Sequence, residues 1–170
     1  MHHTQDLPSA CVIDTNVLFD AVAGGYLHEL FSLECAFLTT DIAFREVRTI
    51  PAVDLHNFGL KIRGLDGKQV LEMFKLRGNY PALSMEDISV MVLARHTGAI
   101  LLSGDGPLRR AARKEGVILH GSLWVLDILV AVGRLSPYRA IEAIKMMQQK
   151  GSRLPGEECD RRIRDWKDMR

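Results

Sequence analysis

Two short apolar runs, Cys11 to Ile13 and Ala99 to Leu102, end at Asp14 and at Ser103-Gly104-Asp105, and each passes directly into a segment with helical spacing. Runs this short and this apolar read as strands buried on both faces. Such strands belong to parallel sheets, whose crossovers are helices. The same alternation recurs along the chain. Ala36 to Thr39 leads into an expected helix over Asp41 to Ile50, closed by Pro51, and Leu60 to Leu65 reads as a further strand. Asp66 suits the N-cap of a helix through Arg77, and Ser84 that of a helix over Met85 to His96 ended by Gly98. Pro107 opens a helix to Glu115, ahead of a strand at Val117 to Leu119. Leu123 to Val132 is apolar nearly all round, as a core helix is, and Ser136-Pro137 starts another helix to about Lys150. The pattern predicts a single α/β domain with a central parallel sheet flanked by helices.

The chain is expected to divide into an N-terminal extension at 1–9, the α/β domain at 10–150 and a charged C-terminal segment at 151–170. The last segment should hold a short surface helix around Cys159 to Met169, with Ile163 and Trp166 three apart as its anchors. Docking of that tryptophan on the parent domain ranks ahead of pairing with a second copy, a homodimer, and of meeting a partner peptide.

With 170 residues, 47% of them hydrophobic and 25% charged, the chain forms a sizeable core and is neither disordered nor a disulfide scaffold. Cys11, Cys35 and Cys159 lack zinc or CxxC spacing and read as reduced structural thiols. His2-His3 shows no ligand spacing and reads as inert. The most apolar stretch, Ser122 to Gly133, is interrupted by Asp127 and falls short of the ~20 residues of a membrane span. The opening MHHTQDLPSA has no secretory pattern, so no membrane is expected and the cytoplasm is the expected location. Charge is uneven: residues 1–60 carry 8 acids against 2 bases, whereas 61–170 carry 13 acids against 20 bases. A basic surface for a polyanion is compatible with that asymmetry.

Ligands of open α/β sheets bind outside the carboxyl ends of the strands. Asp14 and Asp105 are expected there, and Glu46 and Asp87 join them from flanking helices. Four carboxylates in one cleft repel one another, a penalty that hard Mg²⁺ or Mn²⁺ removes. Such ions activate water for attack on a phosphodiester. Each acid also has a plain structural explanation. Asp14 and Asp105 suit caps or turns, Glu46 suits a solvated helix face, and Asp87 stands three residues after Ser84, as in a capping box. Arg109, Arg110, Arg113 and Lys114 follow Asp105 on one helix and are candidates for phosphate contact or simply for solubility. A phosphatase of DxDxT type is disfavoured because Asn16 stands at the second acid. A receiver domain is disfavoured because Leu119-His120-Gly121 offers no lysine at the last strand end.

The segments VIDTNVLFDAV at 12–22, FREV at 44–47, LSMEDISVMVLARHTGAILLSGD at 83–105 and PLRRAARKEGV at 107–117 resemble the PIN-domain family in order and spacing. Beyond them, HGSLWVLDILVAVGRLSP is similar to the tail of one PIN subfamily. The resemblance implies a nuclease that uses Mg²⁺ or Mn²⁺ and cleaves RNA, as in the toxins of toxin-antitoxin pairs, and hence an antitoxin protein as partner. Asp14, Glu46, Asp87 and Asp105 match the acids that are both catalytic and metal-binding. Asn16 and Ser103 match supporting positions, Asn16 orienting Asp14 and Ser103 bonding a metal-bound water or the loop around Asp105. The alternative is a PIN-like module with weak or no catalysis that binds nucleic acid or protein. All four acids stand against that alternative.

Overall fold

The computed structural model describes residues 7–169, so the reading of His2-His3 and the first part of the expected extension lie outside the described residues. Strand β1 (Ala10–Ile13) leads through Asp14 into α1 (Thr15–Ala23), followed by α2 (Leu27–Phe31). Next come β2 (Ala36–Thr40), α3 (Asp41–Phe44), α4 (Ala52–Asn57), β3 (Lys61–Arg63), α5 (Gly67–Asn79) and α6 (Met85–Thr97). The chain closes with β4 (Ile100–Leu102), α7 (Gly106–Lys114), β5 (Leu119–His120), α8 (Ser122–Ala131), α9 (Pro137–Gln149) and α10 (Gly156–Asp168).

All strand pairs are parallel, in the order β3-β2-β1-β4-β5. The chain starts at the centre, builds outward to β3, and then returns to lay β4 on the other side of β1. The switch point therefore falls between β1 and β4, with Val12 level with Leu101 and Ile13 with Leu102. Strand ends diverge there and leave a crevice.

Alternation along the strands explains why the sheet residues are apolar throughout. Cys11, Ile13, Phe37 and Leu102 face one core with α1, α2, α8, α9 and α10, whereas Val12, Leu38 and Leu101 face a second core with α5, α6 and α7. Both faces are covered, so no polar alternation is required. The edge strand β3 exposes all three of its side chains, Lys61, Ile62 and Arg63, and its two flanking charges discourage further pairing.

The structure departs most from the sequence reading at three places. The helix expected over Asp41 to Ile50 stops at Phe44, so Glu46 lies in the turn after α3 and not within a helix. The physical reason is a change of layer. Ala43 packs in the second core, while Phe44, Val47 and Ile50 pack against the first, and a straight helix does not carry a chain round the end of a sheet. Pro51 accordingly opens α4, a helix the sequence pattern did not disclose, and closes none. The last strand lies at Leu119–His120, displaced from Val117 to Leu119.

The charged tail forms α10, which buries Cys159 and Trp166 in the first core, with Ile163 packed against it. Trp166 therefore docks on the parent domain. Cys11, Cys35 and Cys159 are all free thiols. Among the described residues, no helix is long and apolar enough to cross a membrane.

Candidate functional site

Asp14 leaves the central strand at the switch point, and only 3% of its surface is exposed. Its backbone N–H still belongs to the sheet, donating to Leu102 O at 2.9 Å. Its side chain caps α1, with Oδ1 accepting the Thr15 N–H at 2.8 Å. Oδ2 accepts from the Ser103 hydroxyl at 2.8 Å and from Asn16 Nδ2 at 3.1 Å.

Ser103 and Asn16 use their bonding capacity almost fully on this arrangement. The Ser103 oxygen accepts from Asn16 Nδ2 at 3.2 Å and from the Asp105 N–H at 3.1 Å while its own proton goes to Asp14. A hydroxyl offers one donor and two acceptor sites, so Ser103 is saturated. Asn16 Oδ1 accepts the Gly104 N–H at 3.0 Å, tying the loop after β4 to the first turn of α1. Asn16 thus orients Asp14, and Ser103 holds the loop around Asp105.

Asp105 caps α7 through one oxygen, Oδ2, which accepts the Leu108 N–H at 2.7 Å. Asp87 makes the capping box that its spacing from Ser84 suggested. Its Oδ2 accepts the Ser84 N–H at 2.9 Å, and its own N–H donates to Ser84 Oγ at 3.0 Å. Glu46 is exposed, and its Oε2 accepts from the Thr15 hydroxyl at 3.0 Å. Thr15 is a buried participant that sequence reasoning missed; its place directly after Asp14, with a hydroxyl at the first helical position, was the available signal.

Three of the four candidate acids, Asp14, Asp87 and Asp105, therefore also serve in helix caps, whereas Glu46 does not. Electrostatics separates them. Burial raises the Asp14 carboxyl from its ordinary range to about 6, and the negative charges of Asp87 and Glu46 add to the rise. The bonds from Ser103 and the Thr15 N–H oppose it without cancelling it. Asp14, Glu46 and Asp87 therefore share one negative field, whereas Asp105 joins Asp14 through its backbone and the Ser103 hydroxyl. Among the described residues, no three His, Cys, Asp or Glu side chains are gathered closely enough to hold a metal ion together. Arg109, Arg110 and Arg113 lie exposed on α7, just beyond Asp105.

Residues 10–168 match a protein family described as PIN domain. Among solved structures, a PilT N-terminus domain protein from the hyperthermophilic archaeon Sulfolobus solfataricus P2 is similar at 17% identity and a TM-score of 0.49, over 69% of this chain and 91% of that one. No curated protein matches the chain.

Proposed function

Because this chain belongs to the PIN-domain family, we propose that it is a metal-dependent endoribonuclease, the toxin of a toxin-antitoxin pair, whose chemistry centres on Asp14. One observation carries the reading: a nearly fully buried carboxylate at the sheet's switch point lies in the negative fields of both Asp87 and Glu46. A fold that needed Asp14 only as a cap would gain by removing those neighbours.

The donor set suits a hard divalent cation, being all carboxylate oxygen. Mg²⁺ commonly takes one or two carboxylates with waters and substrate phosphate oxygens, so an all-protein cage of three or four acids is not required. Asp14 is the first candidate ligand, with Asp105, Asp87 and Glu46 around it. Bound Mg²⁺ or Mn²⁺ would supply an activated water and charge stabilisation at the phosphodiester. The chain's own residues do the positioning. Ser103 and Asn16 fix the rotamer of Asp14, the Thr15 hydroxyl restrains Glu46, and the cap on Leu108 N–H leaves the second oxygen of Asp105 outside the α7 turn.

The test is cleavage of a mixed pool of end-labelled RNA in Mg²⁺, Mn²⁺ or EDTA. Cleavage is expected only with metal, and Asp14→Asn should lower it by about a thousandfold or more, since metal-borne stabilisation is worth several kcal/mol. Cleavage that persists in EDTA, or in Asp14→Asn, overturns the assignment. The toxin role predicts that induced expression arrests growth and that Asp14→Asn relieves the arrest. The absence of any three clustered acids among the described residues favours a second reading, a PIN-like binding module without catalysis. RNA bound but left intact in Mn²⁺ would decide for it.

A further inference from the structure

A cavity of about 380 Å³ opens beside the Asp14 network, between the loop after β4, the end of β5, the start of α8 and the segment before α10. Gly104 lines it, and the Gly104 N–H is bonded to Asn16, so the cavity and the Asp14 network share a wall. Its volume is at the lower end for small-molecule sites, enough for one nucleotide and too little for a duplex.

The lining combines two kinds of chemistry. The His120 ring lies flat on the Trp124 indole, with centroids 4.4 Å apart and planes 7° from parallel. Burial, and then the charge of Arg109, lowers the His120 pKa, which favours the neutral ring in this stack. Arg109 and Arg153 are exposed and, among the described residues, take part in no ion pair. Gly121 stands where a side chain would crowd one of them: a Cβ there would meet Arg109 Nη2 at 3.2 Å. The acids of the lining are already engaged, Asp20 by the Ser122 hydroxyl at 2.6 Å and Glu158 by Arg161 and Arg162 at 2.7 and 2.8 Å.

We infer that this cavity is a subsite for one unpaired nucleotide of the RNA next to the scissile bond, its base continuing the His120–Trp124 stack and its phosphate held by Arg109 and Arg153. The inference rests on the nuclease reading for the role of that nucleotide. Aromatic platforms flanked by cations bind single strands because every base has a π face and every link carries a phosphate. The segment after α9 thereby gains a task beyond covering the core: it delivers Arg153 and Leu154 to the substrate side.

The test is titration of the full chain in EDTA with AMP, GMP, CMP, UMP and inorganic phosphate, read by tryptophan fluorescence. At least one monophosphate should quench and saturate, and should bind more tightly than phosphate by about tenfold, the value of a stacked base. Arg153→Ala, at an exposed loop position, should weaken it by about tenfold with an unchanged circular dichroism spectrum and thermal midpoint, and Arg153→Lys should restore part of the loss. No saturation by any monophosphate, phosphate binding as tightly as the nucleotides, or Arg153→Ala and Arg109→Ala both binding like the parent would each overturn the subsite. The RNA cleavage assay separates the two proposals. Asp14-dependent cleavage without nucleotide binding overturns the subsite alone, whereas nucleotide binding without cleavage in Mg²⁺ or Mn²⁺ overturns the nuclease reading and with it the substrate role of the cavity.

Discussion

The Asp14 cleft and the Arg162 junction hold charge in opposite ways. Arg162, on α10, has 13% of its side chain exposed and forks onto Asp127 of α8 at 2.7 to 3.0 Å while also reaching Glu158 at 2.8 Å. Every nitrogen has an acceptor, and the planar fork matches a carboxylate edge to edge. Asp14 is more deeply buried, yet its partners are neutral donors, and the charges it feels most, Asp87 and Glu46, have its own sign. Where the chain needs only to fix a helix, it matches charge. At the switch point the charges Asp14 feels are of like sign, the setting in which the proposed Mg²⁺ or Mn²⁺ would bind.

The largest test of that contrast is the pH dependence of stability. The folded-state pKa of Asp14, about 6, lies above the ordinary aspartate value of about 3.9. The folded state thus binds the Asp14 proton more tightly than the unfolded chain, so this residue favours folding below pH ~4 and the advantage is lost as pH rises through about 6. The gap between those two values is worth about 3 kcal/mol. In paired denaturation curves, Asp14→Asn should gain about that much relative to the parent between pH 4 and pH 7.5, and Mg²⁺ should narrow the gap by stabilising only the parent. A difference between the two proteins that is flat with pH would remove the electrostatic premise.

The converse test breaks the matched site. Arg162→Met keeps much of the buried stem and deletes the charge, leaving Asp127 half-exposed without its partner. A loss of about 2 kcal/mol is expected, below that of a fully buried pair because water reaches Asp127. The loosened α10 should expose Trp166 and shift its emission to the red. Adding Asp127→Leu should recover most of the loss, since it removes the stranded charge; no recovery would mean that the junction is held by packing alone.

Legibility in the sequence followed how local each feature is. The parallel sheet, Asp14 and Asp105 could be read because a strand buried on both faces is a short apolar run, and its end is marked by the polar residue that caps the next helix. The Ser84–Asp87 box could be read because both partners lie in one turn. The anchors of α10 were visible as Ile163 and Trp166 amid charge, although the buried Cys159 did not stand out. Glu46 falls on a different element from the one its spacing suggests because the layer change after Ala43 depends on where the two cores lie, a property of the folded sheet. The place of Thr15 after Asp14 marked its hydroxyl at the helix start, but its contact with Glu46 spans 31 positions and that partner could not be read locally. The cavity was equally hidden. It joins Gly104, His120 and Arg153, and only the docking of the tail brings the third to the first two.

The smallest expected effect separates capping from chemistry within a single acid. Ser84→Ala removes the hydroxyl that accepts the Asp87 N–H, and loss of such a cap costs about 1 kcal/mol. The Asp87 carboxylate keeps the Ser84 backbone N–H as donor, so its position and its field at Asp14 should persist. RNA cleavage by Ser84→Ala is therefore expected within a few-fold of the parent while the thermal midpoint falls by about 2–4 °C. Asp87→Asn should do the reverse. The amide oxygen can still accept from Ser84, so most stability is kept, but one of the two like charges is gone and the Asp14 pKa should move down toward its ordinary range. If both variants lose stability and activity in the same proportion, Asp87 acts on the site only through the helix it caps.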